Sequence, residues 1–240
     1  MGERDRMKAP AQRPSFLDSR LGEDLLWRDW RVDRFSTPTP ALFLDRDGVM
    51  IEEKEYIRDP KCVELLQGIP ELIREASKQG FAVVEITNQA GIARGYLDWP
   101  DFVGVEDRLT RLLAEQQVSV DAVLACPFHP EGLYPYRKAD HPWRKPNPGM
   151  LLEAARWLNL ALPQSLIVGD KDSDQQAGRA AKLAFGIHLL TGHGREHEPA
   201  ARAVSAANYP VHVLDNAAGG LSLLRAFRPV SANHQRHGSD

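Results

Sequence analysis

Short apolar runs recur along the chain, separated by longer stretches in which apolar and polar positions mix. The runs 41–45, Phe81 to Thr87, Val120 to Cys126, Ser165 to Gly169 and Phe185 to Leu190 have the pattern of strands buried on both faces. Val211 to Leu214 offers one more. The intervening stretches predict helices. One begins near Pro70 and stops at Gly80, a residue suited to a C-terminal cap, and another runs from about Asp101 to Gln117. A third opens at Asn147-Pro148, where Asn can cap and Pro suits the first turn. A fourth follows Asp170, and a fifth spans roughly Asn216 to Phe227. Strand–helix alternation at this spacing predicts an α/β fold, a doubly wound and mainly parallel sheet covered on both faces. Ligands of such sheets gather beyond the C-terminal strand ends.

The flanks differ from this pattern. Residues 1–40 carry mixed charge and several prolines, ending in Thr37-Pro38-Thr39-Pro40, and read as an extension, linker or wrapped arm. Within it Leu21, Leu25, Trp27 and Trp30 suggest a turn or two of amphipathic helix packed on the domain. The domain itself is expected over 41–228, followed by a polar, flexible tail over 229–240. A chain of 240 residues suits this organisation and can bury a sizeable core.

Charge and cysteine content narrow the function classes. The formal net charge is -3, with 30 Lys and Arg against 33 Asp and Glu, which marks neither a nucleic-acid binder nor a partner of anionic membrane. Cys62 and Cys126 are the two cysteines, too few for a disulfide framework and in keeping with a reducing compartment. Met1-Gly2-Glu3-Arg4-Asp5-Arg6 is too charged for a secretory signal and lacks the Ser or Thr of a myristoylation pattern. No segment is apolar for long enough to span a bilayer. The expectation is a cytoplasmic protein whose partner is a small molecule.

The predicted strand ends carry the chemistry. The first ends in Asp45-Arg46-Asp47-Gly48. Burying carboxylates is costly unless a cation compensates them, so this pair suggests a metal-assisted site, although Asp and Gly also shape ordinary turns. The second ends in Thr87-Asn88-Gln89, before Ala90-Gly91-Ile92-Ala93-Arg94-Gly95. Another ends in Gly169-Asp170-Lys171, with Asp174 one helical turn on, and Lys145 precedes a predicted helix in Arg144-Lys145-Pro146-Asn147-Pro148-Gly149. Carboxylates, a hydroxyl and a lysine at one sheet edge suit phosphoryl transfer. Asp45 and Asp170 can supply hard oxygen ligands to Mg²⁺, and Asp45 can attack phosphorus. Asp47 can protonate the leaving oxygen and then activate water. Thr87 can hold a phosphoryl oxygen, and Lys145 can balance the growing charge.

These four segments resemble the four motifs of the haloacid dehalogenase superfamily of phosphatases, over about residues 41–192. The resemblance implies that Asp45 is the nucleophile, Asp47 the general acid/base, and Asp170 a magnesium ligand. Asp47 would add its backbone carbonyl to the metal, and Asp174 would support the cofactor site from behind. It also implies a small flap after the first strand, for which Met50 to Leu65 has the right length, and no large cap domain. The longer motif strings are similar to those of the heptose 1,7-bisphosphate 7-phosphatases and the related histidinol-phosphate phosphatases. That narrower likeness implies substrate contacts from Arg46, Glu53, Lys54, Glu55, Tyr56, Asn88, Gln89, Ala90, Arg144 and Lys171. Arg144 is the candidate for the far part of the substrate, because guanidinium pairs bidentately with phosphate.

The implied activity is a magnesium-dependent phosphomonoesterase working through an aspartyl-phosphate on a sugar bisphosphate that feeds lipopolysaccharide synthesis. Histidinol phosphate or another small phosphomonoester is the alternative substrate, and a non-catalytic phosphate-binding scaffold is the alternative of another class. Two departures from the family pattern stand out. Relatives carry a zinc loop of cysteines and histidine, whereas this chain has Cys126-Pro127-Phe128-His129-Pro130 and later His141-Pro142-Trp143. Cys126, His129 and His141 lack an evident fourth ligand, so zinc is not expected and aromatic and proline packing should hold the loop. Ile51 stands where asparagine is usual. Cys62 reads as a small hydrophobe, Gly192-His193-Gly194 as a loop edging the sheet, and His234 and His237 as part of the polar tail.

Overall fold

The computed structural model describes residues 18–227. In chain order its elements are β1 (Trp27–Trp30), β2 (Ala41–Leu44), α1 (Ile69–Lys78), β3 (Ala82–Asn88), α2 (Ala90–Arg94), α3 (Trp99–Glu115), β4 (Ala122–Cys126), α4 (Gly149–Leu158), β5 (Leu166–Gly169), α5 (Asp172–Ala180), β6 (Phe185–Leu189), α6 (Gly194–Val204), β7 (Val211–Leu214) and α7 (Gly220–Ala226). The strands form one sheet in the order β1-β4-β3-β2-β5-β6-β7. All neighbours are parallel except β1, which runs antiparallel to β4. The Met1–Arg6 stretch, the tail over 229–240, His234 and His237 lie outside the described residues.

This winding positions the site. The chain steps from β2 through β3 to β4, then returns across the sheet to β5 on the other side of β2 and continues to β6 and β7. The winding reverses at β2, so the loops leaving β2, β3 and β5 diverge there and open a crevice. Leu44 pairs with Glu85 on one side and Val168 on the other. Asp45, Thr87 and Asp170 therefore emerge side by side.

Local chemistry explains most of the elements. Every residue of β2, β4 and β5 is buried, as expected of strands with helices on both faces. Helix α1 buries Ile69, Leu72, Ile73 and Ala76 along one face and gives way to Gly80 in the left-handed region. Helix α3 starts two residues before the expected Asp101. Asp98 caps it, accepting from Asp101 N at 2.9 Å while Asp101 returns a bond to Asp98 N at 3.1 Å, and Pro100 suits the first turn.

The structure departs from the sequence expectations in four places. Trp27 and Trp30 lie on an edge strand, not an amphipathic helical turn. Three apart on a strand, they project to opposite faces. Trp27 stacks on Trp99 of α3 at 5.6 Å, and Trp30 stacks on Trp157 of α4 at 5.3 Å. Asn147 does not cap α4, because its amide donates to Asp140 Oδ1 and the His141 carbonyl. Two helices, α2 and α6, occupy stretches for which no element was predicted. Helix α6 opens at Gly194 and contains Pro199, so its sequence carries breaker signals.

The segment 50–65 forms the flap. Its ends are closed by Glu52 N to Glu64 O and Leu66 N to Met50 O, and by the pairing of Ile51 with Leu65. Ile51 is fully buried there, so the departure from asparagine fills core beneath the flap. Among the described residues no large cap domain interrupts the motifs.

Candidate active site

Lys145 is the hub of the site. Its Nζ lies 2.9 Å from Asp45 Oδ1, 2.6 Å from Asp174 Oδ1 and 2.9 Å from the Ile86 carbonyl. Burial opposes its charge, but Asp174 and Asp45 outweigh that and hold the amine protonated above its ordinary range. Asn88 fixes the lysine's backbone from both sides, donating to the Lys145 carbonyl at 3.0 Å and accepting from Lys145 N at 3.1 Å. The loop after β4 is thereby tied to the end of β3.

Asp45, Asp170 and Asp174 bring carboxylate oxygens within 4.8 Å of one another, all buried. Burial pushes the Asp45 carboxyl up to about 6 and that of Asp170 up to about 8. Asp170 Oδ2 accepts from His193 N at 2.9 Å, whereas its Oδ1 is buried without a hydrogen-bond partner. An orphaned carboxylate oxygen among other acids calls for a compensating cation, and hard oxygen donors fit Mg²⁺. Asp174 lies in the same cluster, but its oxygens are engaged by Lys145 and by Lys171 N at 3.0 Å. That leaves Asp174 a supporting role. Gly48 sits at φ +78°, and a Cβ there would lie 2.3 Å from Asp170 Oδ2, so the Asp-Gly step admits the acid behind it.

Asp47 is held from two directions. Arg46 reaches both its oxygens, with Nε to Oδ1 at 3.2 Å and Nη2 to Oδ2 at 3.0 Å. Gln89 Nε2 donates to Asp47 Oδ2 and to Thr87 Oγ1, each at 2.9 Å. Arg46, expected to touch substrate, is 1% exposed and turns its guanidinium inward to Asp47 and Glu106.

A cleft of about 630 Å³ opens above these groups, within the usual range for small-molecule sites. Arg46, Glu53, Glu55, Tyr56, Asn88, Gln89, Ala90, Arg144 and Lys171 all line it. Lys54 does not; it is bound to Glu64 and the Cys62 carbonyl within the flap. Arg144 donates to the Phe128 carbonyl at 3.1 Å, and burial together with nearby Arg94 lowers its proton affinity. Lys171 and His193 flank Glu53 at 3.7 and 3.6 Å.

Sequence reasoning did not single out Arg94, Tyr96, Ser173 or His193, which also line the cleft. Signals pointed to two of them. Arg94 lies in the glycine-rich string after Thr87, and His193 follows the C-terminal end of β6, where the strand-end rule applies.

In the departed zinc loop, Phe128 stacks on His141 at 4.2 Å. His141 Nδ1 accepts from Trp143 N, while His129 accepts from Glu131 N at Nδ1 and faces Arg94 at Nε2. Burial pushes the Cys126 thiol up to about 12. These contacts hold the loop by aromatic packing and backbone bonds.

Comparison with known proteins places this geometry. A family described as HAD-hydrolase-like matches residues 142–219. The D-glycero-beta-D-manno-heptose-1,7-bisphosphate 7-phosphatase of Mesorhizobium japonicum is 50% identical over 152 residues, covering 63% of this chain and 70% of that protein. The chain belongs to the haloacid dehalogenase-like phosphatases. The phosphatase of the same name from Escherichia coli K12 is 38% identical over 153 residues, covering 64% of this chain and 80% of that protein. Among solved structures, a HAD-like phosphatase from Mesorhizobium loti superposes with TM-score 0.73 at 40% identity, covering 84% of this chain and 91% of that one. A D,D-heptose 1,7-bisphosphate phosphatase from B. bronchiseptica, complexed with magnesium and phosphate, gives TM-score 0.67 at 29% identity, covering 78% and 98%. Like its relatives, this HAD-like protein is a phosphoric monoester hydrolase.

Proposed function

We propose that this phosphatase removes the 7-phosphate of D-glycero-D-manno-heptose 1,7-bisphosphate, using magnesium and an aspartyl-phosphate intermediate. The observation that carries the reading is the arrangement of the cleft. Its floor holds Asp45 against Lys145 beside the unpartnered Oδ1 of Asp170, and its lining includes Arg94 and Arg144. A reacting phosphate fits the floor, and a second phosphate suits the Arg144 guanidinium, with Arg94, paired to Glu131, beside it. The relatives' names carry the β anomer, and we extend that preference to this chain.

Each side chain has a role in two steps. An Asp45 oxygen attacks phosphorus while the bond to the sugar oxygen breaks and Asp47 delivers its proton to that oxygen. Water then attacks the aspartyl-phosphate, giving a proton to Asp47, and the bond from phosphorus to Asp45 breaks to release phosphate. Thr87 and Lys145 hold phosphoryl oxygens as charge grows. Asp45, Asp170 and the Asp47 carbonyl would hold Mg²⁺, which supplies the positive charge that lets an anionic nucleophile approach an anionic phosphate.

Histidinol phosphate carries an amine in place of the second phosphate and would need free acid at that end of the cleft. Glu53 is flanked by Lys171 and His193, and Arg144, whose guanidinium makes one bond to the Phe128 carbonyl, favours the second phosphate over an amine. Both Asp45 and Asp47 are in place, which disfavours a scaffold. No helix of the described residues is long and apolar enough to cross a membrane. Free Cys62 and Cys126 support our assignment to the cytoplasm.

The test is phosphate release with magnesium from the β-heptose bisphosphate, histidinol phosphate and an aryl phosphate, with Asp45→Asn as control. We expect a kcat/KM advantage for the bisphosphate of about tenfold or more, ~1.4 kcal/mol, and no turnover by the folded variant. Preference for another of the three would keep the mechanism and discard the substrate.

A further inference from the structure

Behind Asp47 a chain of charged groups runs into the core. Arg46 Nη1 meets Glu106 Oε1 at 2.9 Å, on the side of the guanidinium away from Asp47. Glu106 is 3% exposed and sits in the buried stripe of α3, among Phe102, Val105, Leu109 and Leu113, where an apolar residue would ordinarily stand. Glu85 likewise interrupts the apolar run of β3 and is 1% exposed. Burial and the neighbouring Glu106 push the Glu85 carboxyl well above the usual carboxylate range.

Placing a guanidinium and a carboxylate in the core is costly in desolvation, and apolar side chains of similar volume often serve stability as well or better. The cost has a visible return at one point. Arg46 lies over the Phe102 ring at 5.3 Å and is fixed at its far edge by Glu106, leaving Nε and Nη2 aimed at both oxygens of Asp47. Without Glu106 the guanidinium has no anchor at that edge and can follow Asp47 instead of holding it.

We propose that Glu106 is a positioning residue which, by fixing Arg46, orients the carboxyl of Asp47 for proton delivery to the leaving oxygen. This rests on the reading of Asp47 as the general acid/base. Proton delivery matters to a sugar alkoxide, a poor leaving group, and little to nitrophenolate, a good one. A role confined to stability would not distinguish the two.

The experiment measures kcat/KM, which reports steps through release of the alcohol, for Glu106→Gln and Asp47→Asn with the heptose bisphosphate and with nitrophenyl phosphate. We expect Glu106→Gln to lose about tenfold or more on the bisphosphate and to stay within about threefold of the parent on nitrophenyl phosphate, with Asp47→Asn showing the same selectivity more strongly. Equal loss on both substrates for Glu106→Gln, or no loss on either, overturns the proposal while a selective Asp47→Asn leaves the role of Asp47 standing. Equal loss for Asp47→Asn overturns that underlying reading and the proposal with it. If Glu106→Gln does not fold, Arg46→Lys tests the same linkage, because one ammonium cannot span Asp47 and Glu106 as the guanidinium does; selective loss supports the proposal and uniform loss overturns it.

Discussion

On the proposed function, Arg144 is the side chain that would decide the substrate. It leaves one bond on the Phe128 carbonyl and lines the cleft beside Lys145, whose backbone is locked to Asn88. On that reading the lock separates its task from that of its neighbour: Lys145 would serve the reacting phosphate, and Arg144 the distal one. A charge-assisted bond to phosphate contributes about 1.5–3 kcal/mol. Arg144→Ala is therefore expected to lower kcat/KM for the bisphosphate roughly 10- to 100-fold and to affect nitrophenyl phosphate far less. Steady-state kinetics on both substrates check this. Equal slowing would assign Arg144 to supporting the loop. The positions of Asp45, Asp47, Lys145 and Asp170 were legible in the sequence because each follows a strand or precedes a helix at a predicted edge. Arg46 lines the cleft as expected, but its inward partner was not legible in the sequence. Its guanidinium is committed to Glu106, 60 residues away, and no local pattern reports such a pairing.

Among the elements, α3 links stability to the site, since it presents Glu106 to Arg46 and Trp99 and Phe102 to Trp27. Its start is set by the reciprocal Asp98–Asp101 bonds. Asp98→Ala removes the cap, and we expect a loss of about 1 kcal/mol in urea unfolding with the slope unchanged. Activity at temperatures where the protein stays folded should be retained. Strands β2 to β6 were legible because burial on both faces demands unbroken apolar runs. Strand β1 was not. Trp27-Arg28-Asp29-Trp30 is too short and too charged to show alternation, and its identity comes from pairing with β4 far along the chain. Helix α2 was hidden by its brevity and glycine, and α6 by Gly194 and Pro199. In those two, tertiary burial overrides weak local propensity.

At the scale of the whole molecule, the acid cluster couples stability to pH and metal. Asp45 and Asp170 are raised by burial to about 6 and about 8, above the value of about 4 that a carboxyl has in an unfolded chain. Between those limits the folded, metal-free protein binds more protons than the unfolded chain, so its stability falls as pH rises. The contribution is fully present below about pH 4 and is lost as pH passes through 6 and then 8. A tenfold difference in proton affinity between folded and unfolded chain is worth about 1.4 kcal/mol, so the two acids together account for a change on the order of several kcal/mol. Magnesium binds the ionised acids, so it restores what deprotonation removes, and protons compete with it at low pH. The thermal shift produced by magnesium over chelator should therefore be small at pH 5 and grow steadily towards pH 8. Other titrating groups, such as the exposed ion pairs, cancel in that difference. Asp170→Asn removes one of the two titrating acids, so it should raise the metal-free transition temperature at pH 8 and flatten the magnesium increment across pH. A magnesium shift that is equally large at pH 5 and pH 8 in the parent protein would show that the cation is not held by these buried carboxyls.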